Sequence, residues 1–204
     1  MFESLTLLRT NSWILNFVLW LQFRLLLVHV GLSIFDKIKK QKEKKETANP
    51  EVYKQALLEI TSRHQNYVQV FTYGSKVVEK VAAAVVSSVA PNSPFSCRLR
   101  DHCSIYTAEP QAVLFPLKQA YQSQERKFMI FADSLSALQA LGKLKTDHPL
   151  LIQIQKLLHK INADQKEMFF IWVPVHVGIR GNEAADRAPK EALYKKQTAD
   201  LMPF

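Results

Sequence analysis

The chain has 204 residues, 48% of them hydrophobic and only 5 of them glycine, which excludes general disorder and leaves room for one well-cored domain with appendages. Its net charge of +9 favours a polyanionic partner, because basic surface lowers the free energy of a bound phosphate backbone. Cys97 and Cys103 have no companions at zinc-ligand spacing, so they read as reduced thiols of an intracellular protein, cytoplasmic or nuclear.

Residues 1–35 form a hydrophobic N-terminal segment, and within it residues 13–35 are long enough to cross a bilayer as one helix. Arg24 lies at the middle of that stretch, where a charge costs about 2.5–3.5 kcal/mol on the insertion scale, and Asn16, Gln22 and His29 add to it. Two readings stay open: a membrane association, or a hydrophobic extension that packs poorly. A cleaved signal peptide fits less well, because the start carries Glu3 and only Arg9 as a base, without a small-residue cleavage site. Residues 36–50 are a solvated, lysine-rich linker. Asn49-Pro50 then supplies an N-cap and a proline for the first helical position, and Val52, Leu57 and Ile60 share a helical face, so residues 51–66 hold a lead-in helix ending near Arg63.

Beyond it the period changes from helical to strand-like. Residues 67–72 and 81–87 are short, rich in Val and Phe, and separated by Gly74-Ser75, which predicts an antiparallel hairpin turning there. A third strand is expected at 95–99, after Pro91 and Pro94. Helical spacing follows over 107–122, then a continuous apolar run at 128–132 suited to a buried central strand. Residues 134–141 and 149–161 read as helices, 168–173 as the last strand and 182–196 as the final helix. The order βββαβααβα predicts an α/β fold, a mixed sheet with helices packed on it, over residues 67–197, followed by a tail at 198–204.

Three carboxylates fall where such a sheet gathers its functional groups: Glu109 at the start of the first long helix, Asp133 directly after the central strand, and Asp186 in the second turn of the last helix. Each also has a plain reading. A glutamate in a first helical turn favours the helix dipole, an aspartate between strand and helix is a common N-cap, and Asp186 beside Glu183 and Arg187 could belong to a charged solvent face.

The flanking residues add a further signal. Phe71-Thr72-Tyr73-Gly74-Ser75, Tyr106-Thr107-Ala108-Glu109, Phe131-Ala132-Asp133-Ser134, and the stretch from Trp172-Val173-Pro174-Val175-His176-Val177-Gly178 to Gly181-Asn182-Glu183-Ala184-Ala185-Asp186 occur in one order on suitable elements. Together they resemble the type 1 ribonuclease H domain, more closely its version in retrotransposon polyproteins of the non-LTR kind, over residues 68–196. The resemblance implies a ribonuclease H-like mixed five-stranded sheet and a metal-dependent endonuclease, a hydrolase of the RNA strand of RNA-DNA hybrids. It also implies two Mg2+ ions held by four acids, activating a water and stabilising the leaving oxygen. By position Glu109, Asp133 and Asp186 match the second, third and fourth acids, and His176 matches the mobile-loop histidine that assists proton transfer or product release.

The first acid of that set is replaced by Tyr73. A phenol, with a reference pKa of about 10, is a poor magnesium ligand near neutral pH, and it is bulkier than a carboxylate. Val175 stands where the resemblance expects glycine, and Pro116 and Pro189 fall inside helices, each costing about 3 kcal/mol or more. Pro110 is expected in a first turn, where it is tolerated. These features read as a degenerate copy with impaired cleavage; the alternative is an inactive nucleic-acid-binding remnant, membrane-associated through 13–35. Ser75, Thr107 and Ser134 are candidates for contacting RNA 2′-hydroxyls, or else cap and turn the backbone. No feature predicts a protein partner.

Overall fold

The computed structural model describes residues 50–142, 146–174 and 180–194. Predictions for 13–35, the linker before residue 50, His176 with its neighbours Val175 and Gly178, and the tail 198–204 lie outside the described residues. Among the described residues no helix is long and apolar enough to cross a membrane.

The chain begins with helix α1 (Pro50–Arg63) and continues through strands β1 (Val68–Val77), β2 (Lys80–Ser87) and β3 (Ala90–Arg98). Helix α2 (Ile105–Gln122), strand β4 (Lys127–Ala132), helices α3 (Leu135–Leu141) and α4 (Pro149–Ala163), strand β5 (Glu167–Trp172) and helix α5 (Arg180–Ala192) complete it. The predicted order of strands and helices is the observed one. The strands form one five-stranded sheet in the order β3-β2-β1-β4-β5. The β1-β2 and β2-β3 pairs are antiparallel, and the β1-β4 and β4-β5 pairs are parallel.

Both faces of this sheet are apolar, which is why β2 and β4 read as almost uninterrupted hydrophobic runs. On one face Val70, Val81, Ala83 and Val85 pack against Ala108, Ala112 and Phe115 of α2. Phe128, Ile130 and Phe170 on the same face meet Leu114 and Leu117 of α2 and Leu150, Ile154 and Ile161 of α4. On the other face Phe71, Met129, Phe131 and Ile171 meet Leu57 and Ile60 of α1 and Ala185 of α5. Ala82, Ala83 and Ala84 are all fully buried, and their small side chains let helices approach β2 closely from both sides.

Several boundaries differ from the sequence expectation. Gly74-Ser75 is not the hairpin turn: β1 runs on to Val77, with Gly74 paired to Ala83 and Ser75 to Ala82. The reversal comes at Val78-Glu79, where Val78 takes a left-handed φ of 55°. Gly74 answers a packing demand instead, because a Cβ there would lie 2.8 Å from the main-chain nitrogen of Glu109. Strand β3 starts at Ala90 and passes through Pro91 and Pro94, which an edge strand tolerates since it pairs on one side only. Helix α2 begins at Ile105, two residues early, so Glu109 is in its second turn and Pro110 is an interior proline rather than a first-turn one. The helix continues through both Pro110 and Pro116, whose rings are buried in the core. Helix α5 likewise continues through a buried Pro189 and ends at Ala192.

Candidate functional site

Parallel pairing of β1 with β4 aligns Thr72 with Ala132, and β4 with β5 aligns Ala132 with Trp172. The next residue on each of the first two strands, Tyr73 and Asp133, therefore lies at the carboxyl end of the parallel part of the sheet, where α/β folds collect functional groups. Thr72 fixes this end by donating its hydroxyl to the Phe131 carbonyl at 3.2 Å. Trp172 does so from the other side, its indole N–H donating to the Asp133 carbonyl at 2.8 Å.

Two glycines bring the remaining acids in. Gly74 admits the main chain of α2 at Ala108 and Glu109 directly over β1, which places Glu109 beside the strand end. Gly181 does the same for α5: a Cβ there would fall 2.2 Å from the Phe71 ring, so only glycine lets the start of α5 lie on that ring. Phe71 in turn is stacked on Phe131, with ring centroids 4.6 Å apart. Asp186, further along α5, is carried over Tyr73 and is only 6% exposed. Its burial removes the reading of a charged solvent face.

The four side chains interact. Burial first, then the neighbouring carboxylates of Asp186, Asp133 and Glu109, push the pKa of the Tyr73 phenol well above the usual phenol range. Tyr73 is thus a neutral hydroxyl in a ring of acids. Asp133 is pushed up to about 7, mainly by burial and further by Glu109 and Asp186, against the opposing pull of its own main-chain N–H and that of Ser134. Glu109 is also raised by burial, and the hydroxyl that Ser134 donates to its Oε2 opposes the shift. Lys190, one helical turn beyond Asp186, sets its ammonium 2.7 Å from Asp186 Oδ2.

The candidate contact residues have distinct places. Ser134 is the N-cap of α3, accepting from the Ala137 N–H at 3.1 Å while donating to Glu109. Thr107 is partly exposed at the start of α2, its hydroxyl 3.1 Å from that of Ser104. Ser75 is 8% exposed within β1, on the face that α5 covers, so little of it is open to a nucleic acid. Sequence reasoning passed over Lys190, Trp172 as an anchor of Asp133, and the packing role of Gly181. Only Lys190 left a legible signal, its spacing of four from Asp186 on one helix.

Magnesium asks for near-octahedral oxygen ligation at about 2.0–2.1 Å, with carboxylates free to turn toward the ion. Here Asp186 is paired with Lys190, Glu109 is bonded by Ser134, and the neutral Tyr73 hydroxyl stands among the three acids. Among the described residues no group of three or more His, Cys, Asp or Glu is spaced to hold a metal ion. The residues present, as arranged, do not fit a two-ion magnesium centre. Comparison with protein families finds that the RNase H model matches residues 65–194. No curated protein matches the chain.

Proposed function

Because the chain belongs to the RNase H family, we propose that it is a ribonuclease H-type domain that binds RNA-DNA hybrids and whose cleavage of the RNA strand is strongly reduced or lost. Members of this family generally use Mg2+. The single observation that carries the proposal is the half-buried Tyr73 phenol set among the carboxylates of Glu109, Asp133 and Asp186. It fills the place of a carboxylate with a neutral group. In this reading Glu109, Asp133 and Asp186 are the surviving members of the family's acid set, which in intact members would hold the metal, and His176 is the loop histidine. Thr107 and Ser134 mark the side that faces the hybrid, with Thr107 the most open to contact, while Ser75 is covered by α5 and serves packing. The chain is then a degenerate copy descended from a retrotransposon polyprotein.

The test compares hybrid cleavage in magnesium by the unaltered chain and by Tyr73→Asp, with circular dichroism confirming that both are folded. Tyr73→Asp is expected to raise the rate at least about 100-fold, the scale on which one misplaced catalytic group acts. Robust cleavage by the unaltered chain sinks the proposal of lost activity. A folded but inactive Tyr73→Asp chain shows that Tyr73 alone does not limit the site.

A further inference from the structure

The family match begins at residue 65, after α1 has ended, yet α1 is seated on the sheet through three separate contacts. Leu57 and Ile60 are buried among Met129, Phe131 and Ile171, filling the part of the sheet's second face that α5 leaves over β4 and β5. Directly after its last residue, His64 in the following turn meets the rings of Tyr67 and Phe169, with centroids 5.1 and 5.3 Å away, and Tyr67 stacks on Phe169. Near its N-terminal end Tyr53 meets Trp172 edge-on, centroids 6.2 Å apart and planes at 88°. Trp172 is the residue whose indole N–H holds the Asp133 carbonyl.

From this chain of contacts we infer that α1 is an integral helix of the catalytic-type domain, and that Tyr53 and Trp172 are positioning residues which set the main chain at Asp133. The edge-on ring of Tyr53 restricts rotation of the Trp172 indole, keeping its N–H aimed at the carbonyl. Without α1, Met129, Phe131 and Ile171 would lose their cover on that face, and the apolar surface exposed would weaken the sheet where β4 delivers Asp133. The arrangement stands whether or not the acids retain any catalytic power.

The test uses the full chain with Trp13→Phe and Trp20→Phe, which leaves Trp172 as its one tryptophan. The Trp172 indole N–H is followed by hydrogen exchange in NMR spectra, its accessibility by iodide quenching of fluorescence, and global stability by thermal unfolding. Tyr53→Ala is expected to speed indole exchange about fivefold, the factor that corresponds to one neutral hydrogen bond, and to raise quenching. Tyr53→Phe, which keeps the ring and loses only the hydroxyl, is expected to restore both signals. Leu57→Asp is expected to lower the unfolding midpoint of the whole domain in one transition; failure of that variant to fold at all supports integration equally. Unchanged Trp172 exchange in Tyr53→Ala, or failure of Tyr53→Phe to restore it, overturns the positioning role. An unchanged midpoint in Leu57→Asp overturns the integration of α1.

Discussion

At the scale of single residues the site is built by what is small as much as by what is charged. Gly74 was expected to turn the chain and instead lies inside a strand, because the turn signal of a Gly-Ser pair is local while the demand it meets comes from α2, more than thirty residues onward. Gly74→Ala is expected to cost about 1–3 kcal/mol in urea unfolding, since the added methyl meets main chain that cannot turn aside. Asp133 carries a second residue-scale consequence. Its folded pKa, about 7, lies above the ordinary value of 3.8, so the folded state binds the extra proton between those limits. Its contribution to stability is therefore complete below about pH 4 and is lost as pH rises through about 7, a change of up to about 4 kcal/mol. Glu109, raised in the same sense, adds to it. In unfolding measured across this range, Asp133→Asn is expected to flatten the slope relative to the unaltered chain. A difference curve that stays level from pH 4 to 8 contradicts the buried acid cluster.

At the scale of elements, local propensity and tertiary packing disagree in the helices. Pro110 and Pro116 each remove a main-chain hydrogen bond from α2, and Pro189 removes one from α5, yet all three rings are buried and the helices continue. Packing against the sheet offsets what the helical ladder loses. Pro116→Ala is expected to raise stability by about 1–3 kcal/mol, the restored hydrogen bond being set against a smaller buried side chain, and chemical unfolding measures it. In β3 the prolines have a different effect. They are legible as strand breakers in sequence, but at the edge of the sheet the missing donors on the outward side are not needed. Which strand is the edge is a property of the topology, and no window of residues in β3 contains it.

At the scale of the molecule, the chain belongs to the RNase H family and carries a net charge of +9, so the proposed hybrid binding is expected to rest on phosphate contacts that do not depend on the acid cluster. Hybrid binding by the unaltered chain is expected to weaken by about tenfold for every two phosphates neutralised when salt rises from 50 to 200 mM, and fluorescence anisotropy with a labelled hybrid reports it. Salt-independent binding, or none at low salt, argues against a hybrid partner. The sequence by itself determined the order of strands and helices, because hydrophobic period is written into each segment. It also determined the anomaly at Tyr73, because that rests on residue identity within a motif. Only the tertiary structure decided that Tyr73 stands among Glu109, Asp133 and Asp186 while Lys190 pairs with Asp186, that Gly74 admits a helix rather than a turn and Gly181 admits another, and that α1 closes the sheet and reaches Asp133 through Trp172. These are contacts between segments far apart in the chain, except for the Lys190 pair, and their energies depend on distances that no local pattern encodes.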